Sequence, residues 1–333
     1  MSRFLEPAVA ARVASLELKA RLIVEGFMTG LHRSPYHGFS VEFAEHRAYN
    51  PGDELRRLDW KVLAKTDRPY IKRFEEETNL RAYVVLDTSA SMRYQGKAPM
   101  TKLDYASTLA AALGFLMLRQ RDAAGLMAFD ERVHTVVPPK AATTHLRPLL
   151  ATLERISNVE AAPTRTGAAA ALAEVAERVT RRSLVVVISD LFENAAGDRA
   201  ANGRAEGRAE GGANPNGDRA ANAGGPEAVL AALRRLRHRG HEVLVFHVLD
   251  AATERRLELP TDRPVTLRDA ETGERITLQP AQAAEAYTRA ASAFAERFRR
   301  GCLEQGIDYA ELDTAAPFDE ALMAYLRKRK RSG

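Results

Sequence analysis

Short continuous apolar runs alternate along the chain with longer segments in which apolar residues recur at helical spacing. The runs are Tyr83–Leu86, Ala123–Phe129, Leu184–Ile188 and Val243–Leu249. Such runs are typical of parallel strands covered on both faces. The helical segments are Thr101–Arg119, His145–Ser157 and Thr166–Val179. The alternation predicts an α/β fold with a doubly wound, mostly parallel sheet between helices.

Other patterns lie on either side of this alternating region. Before it, we predict an amphipathic helix from about Leu5 to Met28, a strand Ser40–Glu45, an Asn50–Asp53 turn and a strand Tyr70–Phe74. After it, we predict a hairpin around Asp269–Gly273, a helix Ala281–Gln305, a strand Asp308–Leu312 and a helix Pro317–Arg329. Residues 194–226 are of low complexity and predict a disordered insertion. We therefore expect an N-terminal extension over residues 1–80 and an α/β domain over 81–333.

Composition narrows the class of protein. Of the 333 residues, 45% are apolar and 28% are charged, which is ordinary for a globular protein. The net charge of +5 comes from dispersed basic residues, and the cluster Arg327–Arg331 suits a helix C-terminus. Binding of nucleic acid or another acidic partner is the alternative for that cluster. Cys302 is the only cysteine, which excludes disulfides and thiolate metal sites. No apolar run reaches membrane-spanning length, so we expect a cytoplasmic protein without a membrane span.

Oxygen-bearing side chains follow two of the predicted strands. Asp87, Ser89 and Ser91 come after the first apolar run, within the string DTSASM, and Asp190 follows Leu184–Ile188. Thr164 lies in a turn that opens the next helix, with Thr166 beside it. The carboxyl ends of strands in open α/β sheets meet at one edge, where ligands bind. Hard oxygen donors with two formal charges suit Mg²⁺. The alternative is that the aspartates are helix caps and the hydroxyls belong to ordinary loops.

These motifs resemble two known families. The order Asp-x-Ser-x-Ser, then Thr in a turn before a helix, then a strand ending in Asp, resembles a von Willebrand factor A-like domain with a metal-ion-dependent adhesion site. The preceding stretch, EFAEHRAYNPGDELRRLDWKVLAKTDRPYIKRFEEE, resembles the bacterial family called domain of unknown function 58. The resemblance covers roughly residues 30–249. Two features depart from it: Leu191 stands where A-like domains commonly have glycine, and the insertion after Asn194 is long.

The resemblance implies a metal site and a partner. Ser89, Ser91 and Thr164 would bind Mg²⁺, or Mn²⁺, through their hydroxyls, and Asp87 and Asp190 would act mostly through bound water. An acidic side chain of a protein partner would complete the coordination. The implied partner is a MoxR-type AAA+ ATPase, in a chaperone-like or assembly role. The resemblance implies an interaction module that is not an enzyme and has no catalytic residues.

Three alternatives stay open from the residues alone. A metal-dependent phosphohydrolase would use Asp87 as nucleophile, but Ser89 stands where its acid–base carboxylate is needed. Binding of nucleic acid would use the basic surface. No Walker A pattern occurs, so we do not expect the chain itself to hydrolyse ATP. A third question concerns polar residues of the N-terminal motif, which could form an ion network or contact a partner; they are Arg47, Asp53, Arg56, Asp59, Trp60 and Lys72.

Overall fold

The computed structural model describes residues 6–33, 46–48, 63–64, 70–72, 80–158, 166–192 and 225–332. Its strands are β1 (His46–Ala48), β2 (Tyr70–Lys72), β3 (Arg81–Asp87), β4 (Ala123–Phe129), β5 (Val133–Lys140), β6 (Leu184–Ser189), β7 (Glu242–Leu249), β8 (Val265–Arg268), β9 (Arg275–Leu278) and β10 (Asp308–Asp313). Its helices are α1 (Pro7–Ala10), α2 (Leu16–Arg33), α3 (Lys102–Arg119), α4 (Leu146–Asn158), α5 (Ala168–Arg178), α6 (Pro226–His238), α7 (Pro280–Glu304) and α8 (Asp319–Ser332).

The main sheet has six strands in the order β10-β7-β6-β3-β4-β5. Every neighbouring pair is parallel except β4 and β5, which are antiparallel with two shifts of register. The chain moves from β3 outward to β4 and β5, then returns to the other side of β3 with β6. The strand order therefore reverses between β3 and β6. This arrangement confirms the predicted α/β fold class, a doubly wound and mostly parallel sheet.

Helices cover both faces of the sheet. On one face, side chains such as Val84 and Leu86 of β3 pack with α2, α3, α4 and α8. On the other face, Val85 packs with α5, α6 and α7. Successive residues of a strand point to opposite faces, and here both directions are apolar. Strands β4 and β6 are buried along their whole length, as the continuous apolar runs predict.

Helix α3 begins after Thr101, which caps its first turn. The Thr101 hydroxyl oxygen accepts the Asp104 backbone N–H at 3.0 Å, and the same hydroxyl donates to Asp104 Oδ2 at 2.8 Å. This contact satisfies one backbone donor that the first turn of a helix leaves without a partner. Helix α3 then buries Leu109, Leu113 and Leu116 in the core.

The prediction of a single N-terminal helix from about Leu5 to Met28 is wrong. Two helices, α1 and α2, are separated by a break over residues 11–15. Ser15 causes the restart, because its hydroxyl accepts the Leu18 N–H at 3.3 Å and its carbonyl accepts the Lys19 N–H at 3.0 Å. Helix α2 packs on α3 and buries Ile23 and Phe27.

Edge strand β5 is longer than the predicted Val133–Val137. It continues through Pro138 and Pro139 to Lys140, and its residues alternate between buried or half-buried and exposed. Helix α8 begins at Asp319 rather than Pro317, since the Ala316 N–H is used in a turn that closes on the Asp313 carbonyl.

Several predicted features lie outside the described residues. They are the strand Ser40–Glu45, the Asn50–Asp53 turn and most of the insertion 194–226, of which Pro226 proves to be the first residue of α6. In the N-terminal motif, Arg47 and Lys72 stand on the paired strands β1 and β2. Asp53, Arg56, Asp59 and Trp60 lie outside the described residues. The predicted hairpin is present, formed by β8 and β9 around Asp269–Gly273.

Candidate metal centre

Two predicted site residues meet where the strand order reverses. Asp87 ends β3, Asp190 follows β6, and these parallel strands pair with Leu86 opposite Ile188. Both aspartates are fully buried. The Ser189 hydroxyl joins the strand ends by donating to Asp87 Oδ2 at 2.6 Å. The carboxyl edge at the switch point, where open α/β sheets bind ligands, therefore carries two adjacent carboxyl groups.

The turn after β3 brings Ser89 and Ser91 to the same place. The Ser89 backbone N–H donates to Asp87 Oδ1 at 3.0 Å, and a 3₁₀ turn follows from Ala90 to Arg93. This turn sets the Ser89 and Ser91 hydroxyl oxygens 3.0 Å apart. The tight turn, and not an extended segment, brings the Ser91 hydroxyl to Ser89. Ser89 is buried, whereas Ser91 is half-buried.

Both oxygens of Asp190 already have partners in the protein. Oδ1 accepts the Phe192 N–H at 3.1 Å, and Oδ2 accepts from the Lys102 ammonium at 2.8 Å. Lys102 also donates to Glu254 Oε1 at 2.5 Å, and its side chain is only 2% exposed. Lys102 and Glu254 were not predicted from the sequence. Lys102 is the first residue of an ordinary helix and Glu254 lies far along the chain, so neither carries a local signal.

Leu191 takes the place at which A-like domains commonly have glycine, and its backbone shows why that matters. Its φ of 57° lies in the left-handed region, which costs a residue with a β-carbon about 1–2 kcal/mol. The Leu191 side chain is buried in the core, which offsets this cost. The conformation also allows the Leu191 N–H to donate to the Ser189 hydroxyl at 2.9 Å.

Burial and charge govern the electrostatics of this edge. Burial raises the pKa of the Asp87 carboxyl well above its usual range, and the nearby Asp190 raises it further. Burial lowers the pKa of Lys102, but the carboxylates of Asp190 and Glu254 raise it by more, so the ammonium stays charged. The Lys102 ammonium thus lies between the carboxyl groups of Asp190 and Glu254, and the Asp87 carboxyl lies nearby in a fully buried position.

The helix that follows the predicted Thr164 is also at this edge. Thr164 itself lies outside the described residues, and Thr166 is the first residue of the turn that the structure describes. Gly167 caps α5, and a β-carbon there would lie 2.7 Å from the Glu131 carbonyl oxygen. The glycine is therefore needed for the close approach of this turn to the turn after β4. Both the N–H and the hydroxyl of Thr166 donate to Glu271 of the β8–β9 hairpin.

The serine geometry fits a magnesium ion. In a regular octahedron with metal–oxygen distances of about 2.1 Å, neighbouring ligand oxygens are about 3.0 Å apart. The Ser89 and Ser91 hydroxyls share a hydrogen bond with their oxygens 3.0 Å apart, a separation that would also suit two neighbouring ligands of such an ion. Since both Asp190 oxygens and both Asp87 oxygens accept protein hydrogen bonds, these carboxylates suit contact through water. Among the described residues, no group of three or more His, Cys, Asp or Glu could hold a metal.

A cleft of about 570 Å³ opens from this edge. Ser91, Tyr94, Phe192 and Glu254 form one wall, and the β8–β9 hairpin forms the other, from Leu267 to Ile276. The half-buried Ser91 hydroxyl therefore faces a space that an outside group can enter. The hairpin was predicted from the sequence, but its position over this edge of the sheet was not.

Comparison with known proteins identifies the family. Residues 45–209 match the family described as protein of unknown function DUF58. The chain belongs to the DUF58 family. This confirms the resemblance seen in the sequence, whereas the adhesion-site metal stays a prediction. Relatives of the chain include uncharacterized proteins of Mycobacterium bovis and Mycobacterium tuberculosis, each 29% identical over 98% of this chain and 91% of the relative.

The chain also aligns with several solved structures. BatB from Bacteroides thetaiotaomicron is 14% identical, with 76% of this DUF58 chain and 98% of BatB covered and a TM-score of 0.44. An aerotolerance-related membrane protein from Bacteroides fragilis is 18% identical, with coverages of 75% and 99% and a TM-score of 0.41. The vWF domain of the pili tip protein Mfa5 from Porphyromonas gingivalis is 13% identical, with coverages of 70% and 97% and a TM-score of 0.34. Among the described helices of this chain, none is long and apolar enough to cross a bilayer.

Proposed function

We propose that this chain is a non-enzymatic interaction module that binds a divalent cation and, through it, an acidic side chain of a protein partner. The metal, Mg²⁺ or Mn²⁺, is held by the hydroxyls of Ser89, Ser91 and Thr164, with Asp87 and Asp190 acting through water. The partner is a MoxR-type AAA+ ATPase in the cytoplasm, and the role is chaperone-like or in assembly.

The observation that carries this proposal is the serine pair. Two hydroxyl oxygens at the spacing of an octahedral edge stand beside two buried carboxyl groups, and one of the hydroxyls faces an open cleft. With few direct carboxylate ligands, the ion remains attractive to a carboxylate from outside. This arrangement supports docking rather than hydrolysis. Asp87 is fully buried and both of its oxygens accept hydrogen bonds, which suits a supporting role better than nucleophilic attack.

Calorimetric titration with Mg²⁺ tests the metal site. We expect the Ser89→Ala/Ser91→Ala variant to bind Mg²⁺ at least about tenfold more weakly than the wild type. Loss of residues that merely support metal ligands already weakens metal binding by about that factor. The chain offers a matched control: Ser107 and Ser157 form a second hydroxyl pair, with oxygens 3.2 Å apart, between α3 and α4. Ser107→Ala/Ser157→Ala should leave Mg²⁺ binding unchanged. Equal Mg²⁺ affinity in all three proteins would refute the site.

A second titration tests the partner. The purified chain is mixed with the MoxR-type ATPase of the same organism, first with Mg²⁺ and then with EDTA. Binding that needs Mg²⁺ and is lost in Ser89→Ala/Ser91→Ala would support docking through the metal. Binding that is indifferent to Mg²⁺ would move the interface elsewhere, with the Arg47–Lys72 segment the first region to examine.

A further inference from the structure

The tip of the β8–β9 hairpin is built to present one carboxylate. Asp269 Oδ1 accepts the N–H groups of Glu271 at 2.8 Å and Thr272 at 3.0 Å, and Gly273 closes the turn with a φ of 71°. The hairpin strands are largely exposed, with Ile276 at 62%. Glu271 is half-buried although its neighbours Ala270 and Thr272 are exposed. The turn therefore directs Glu271 inward, against the body of the protein.

Glu271 contacts the body at the start of α5. Its Oε2 accepts the Thr166 backbone N–H at 3.1 Å, and its Oε1 accepts the Thr166 hydroxyl proton. Thr166 is buried and comes just before Gly167, the residue that caps α5. The positive end of the helix dipole favours a carboxylate in this position. The contact thus shows that a carboxylate fits beside the sheet edge that carries Ser89 and Ser91.

The same hairpin forms one wall of the cleft into which Ser91 opens. We propose that Glu271 is an internal competitor for the docking edge: with its carboxylate on Thr166, the hairpin covers the approach to the metal, and a partner's acidic side chain binds when the hairpin moves away. This inference rests on the proposed function, because it describes how that site is regulated.

The hairpin is suited to such a movement. Strands β8 and β9 have four residues each, pair only with each other, and form a sheet separate from the six-stranded one. Isolated two-stranded hairpins are marginally stable in water. The affinity of an outside carboxylate is reduced by the fraction of molecules in which the hairpin is open. A hairpin that is closed in most molecules would weaken docking about fivefold to tenfold.

The experiment uses Mn²⁺ as the metal and acetate as the outside carboxylate. Bound Mn²⁺ speeds the relaxation of water protons, and acetate that enters the coordination sphere displaces water and reduces this effect. We expect Glu271→Ala to lower the acetate concentration for half effect about fivefold to tenfold relative to the wild type. Glu271→Gln keeps the size of the side chain but loses its charge. Its acetate concentration for half effect should lie between those of Glu271→Ala and the wild type.

The control is Glu285→Ala, which removes an exposed glutamate of α7 that pairs with Arg289 four positions along the same helix. It should respond to acetate as the wild type does. If Mn²⁺ binds to all the proteins and Glu271→Ala needs as much acetate as the wild type, Glu271 is not a competitor and only this inference fails. If Mn²⁺ does not bind to the wild type, the proposed metal site fails and the inference falls with it.

Discussion

Replacing Lys102 with methionine should strongly destabilise the fold. Its ammonium lies 2.8 Å from Asp190 and 2.5 Å from Glu254, in a side chain that is 2% exposed. At an effective dielectric constant of about 20, unit charges at 2.8 Å attract by about 6 kcal/mol. Desolvation of the ammonium offsets part of this attraction. Methionine fills the space but leaves Asp190 buried without its partner, so we expect the free energy of unfolding to fall by about 3–5 kcal/mol.

Two further variants separate charge from packing. Lys102→Met/Glu254→Gln removes one of the carboxylates that lose their partner, so it should recover about 1–2 kcal/mol of the free energy of unfolding. Lys97→Met breaks an exposed pair with Glu258 and should lower the free energy of unfolding far less than Lys102→Met does. If the proposed metal site is correct, Mg²⁺ should stabilise Lys102→Met more than the wild type, because the ion replaces the lost positive charge.

Urea denaturation followed by far-ultraviolet circular dichroism measures these differences, first in EDTA and then with Mg²⁺. The electrostatic reasoning would be refuted if Lys102→Met lost no more stability than Lys97→Met. If Mg²⁺ stabilised Lys102→Met and the wild type equally, the ion pair would still explain the difference in stability between them. That result would count against a metal beside Asp190.

Three other predictions concern residues with a defined structural role. Thr101→Ala should lower the free energy of unfolding by about 1 kcal/mol through loss of the cap of α3, and an unchanged urea midpoint would contradict this. Gly167→Ala places a methyl group 2.7 Å from the Glu131 carbonyl and should cost about 1–3 kcal/mol in the same assay; a neutral effect would mean that the turn can shift freely. Burial raises the pKa of Cys302 to about 12, so iodoacetamide at pH 8 should label it only in urea, as mass spectrometry would detect. Rapid labelling of the folded protein would contradict that burial.

The strands could be predicted well because their sequence signal is continuous. Strand β4 has the predicted bounds, and β6 and β7 differ from the predicted runs by a single residue at one end. Packing of helices on both faces requires apolar residues in both directions, which makes such strands easy to recognise. The N-terminal helix was harder, because its break depends on one serine that can cap a helix or lie within it.

The candidate site could be predicted in part. Asp87, Ser89, Ser91 and Asp190 come together as expected, because strand ends in a parallel sheet share an edge; Thr164 lies outside the described residues. Lys102, Glu254 and Glu271 could not be predicted, since none of them is the residue at which an apolar strand ends. No local pattern distinguishes a buried lysine at a helix start from an exposed one.

The two prolines at the end of β5 limit how this protein can associate. An edge strand normally offers a row of free N–H and C=O groups, to which the strand of another molecule can add. Pro138 and Pro139 have no N–H group, and the register of β5 is shifted against β4. Addition of a strand at this side of the sheet would therefore be interrupted. Joining of sheets through β5 is therefore disfavoured, and another protein that binds at this edge would have to contact its side chains.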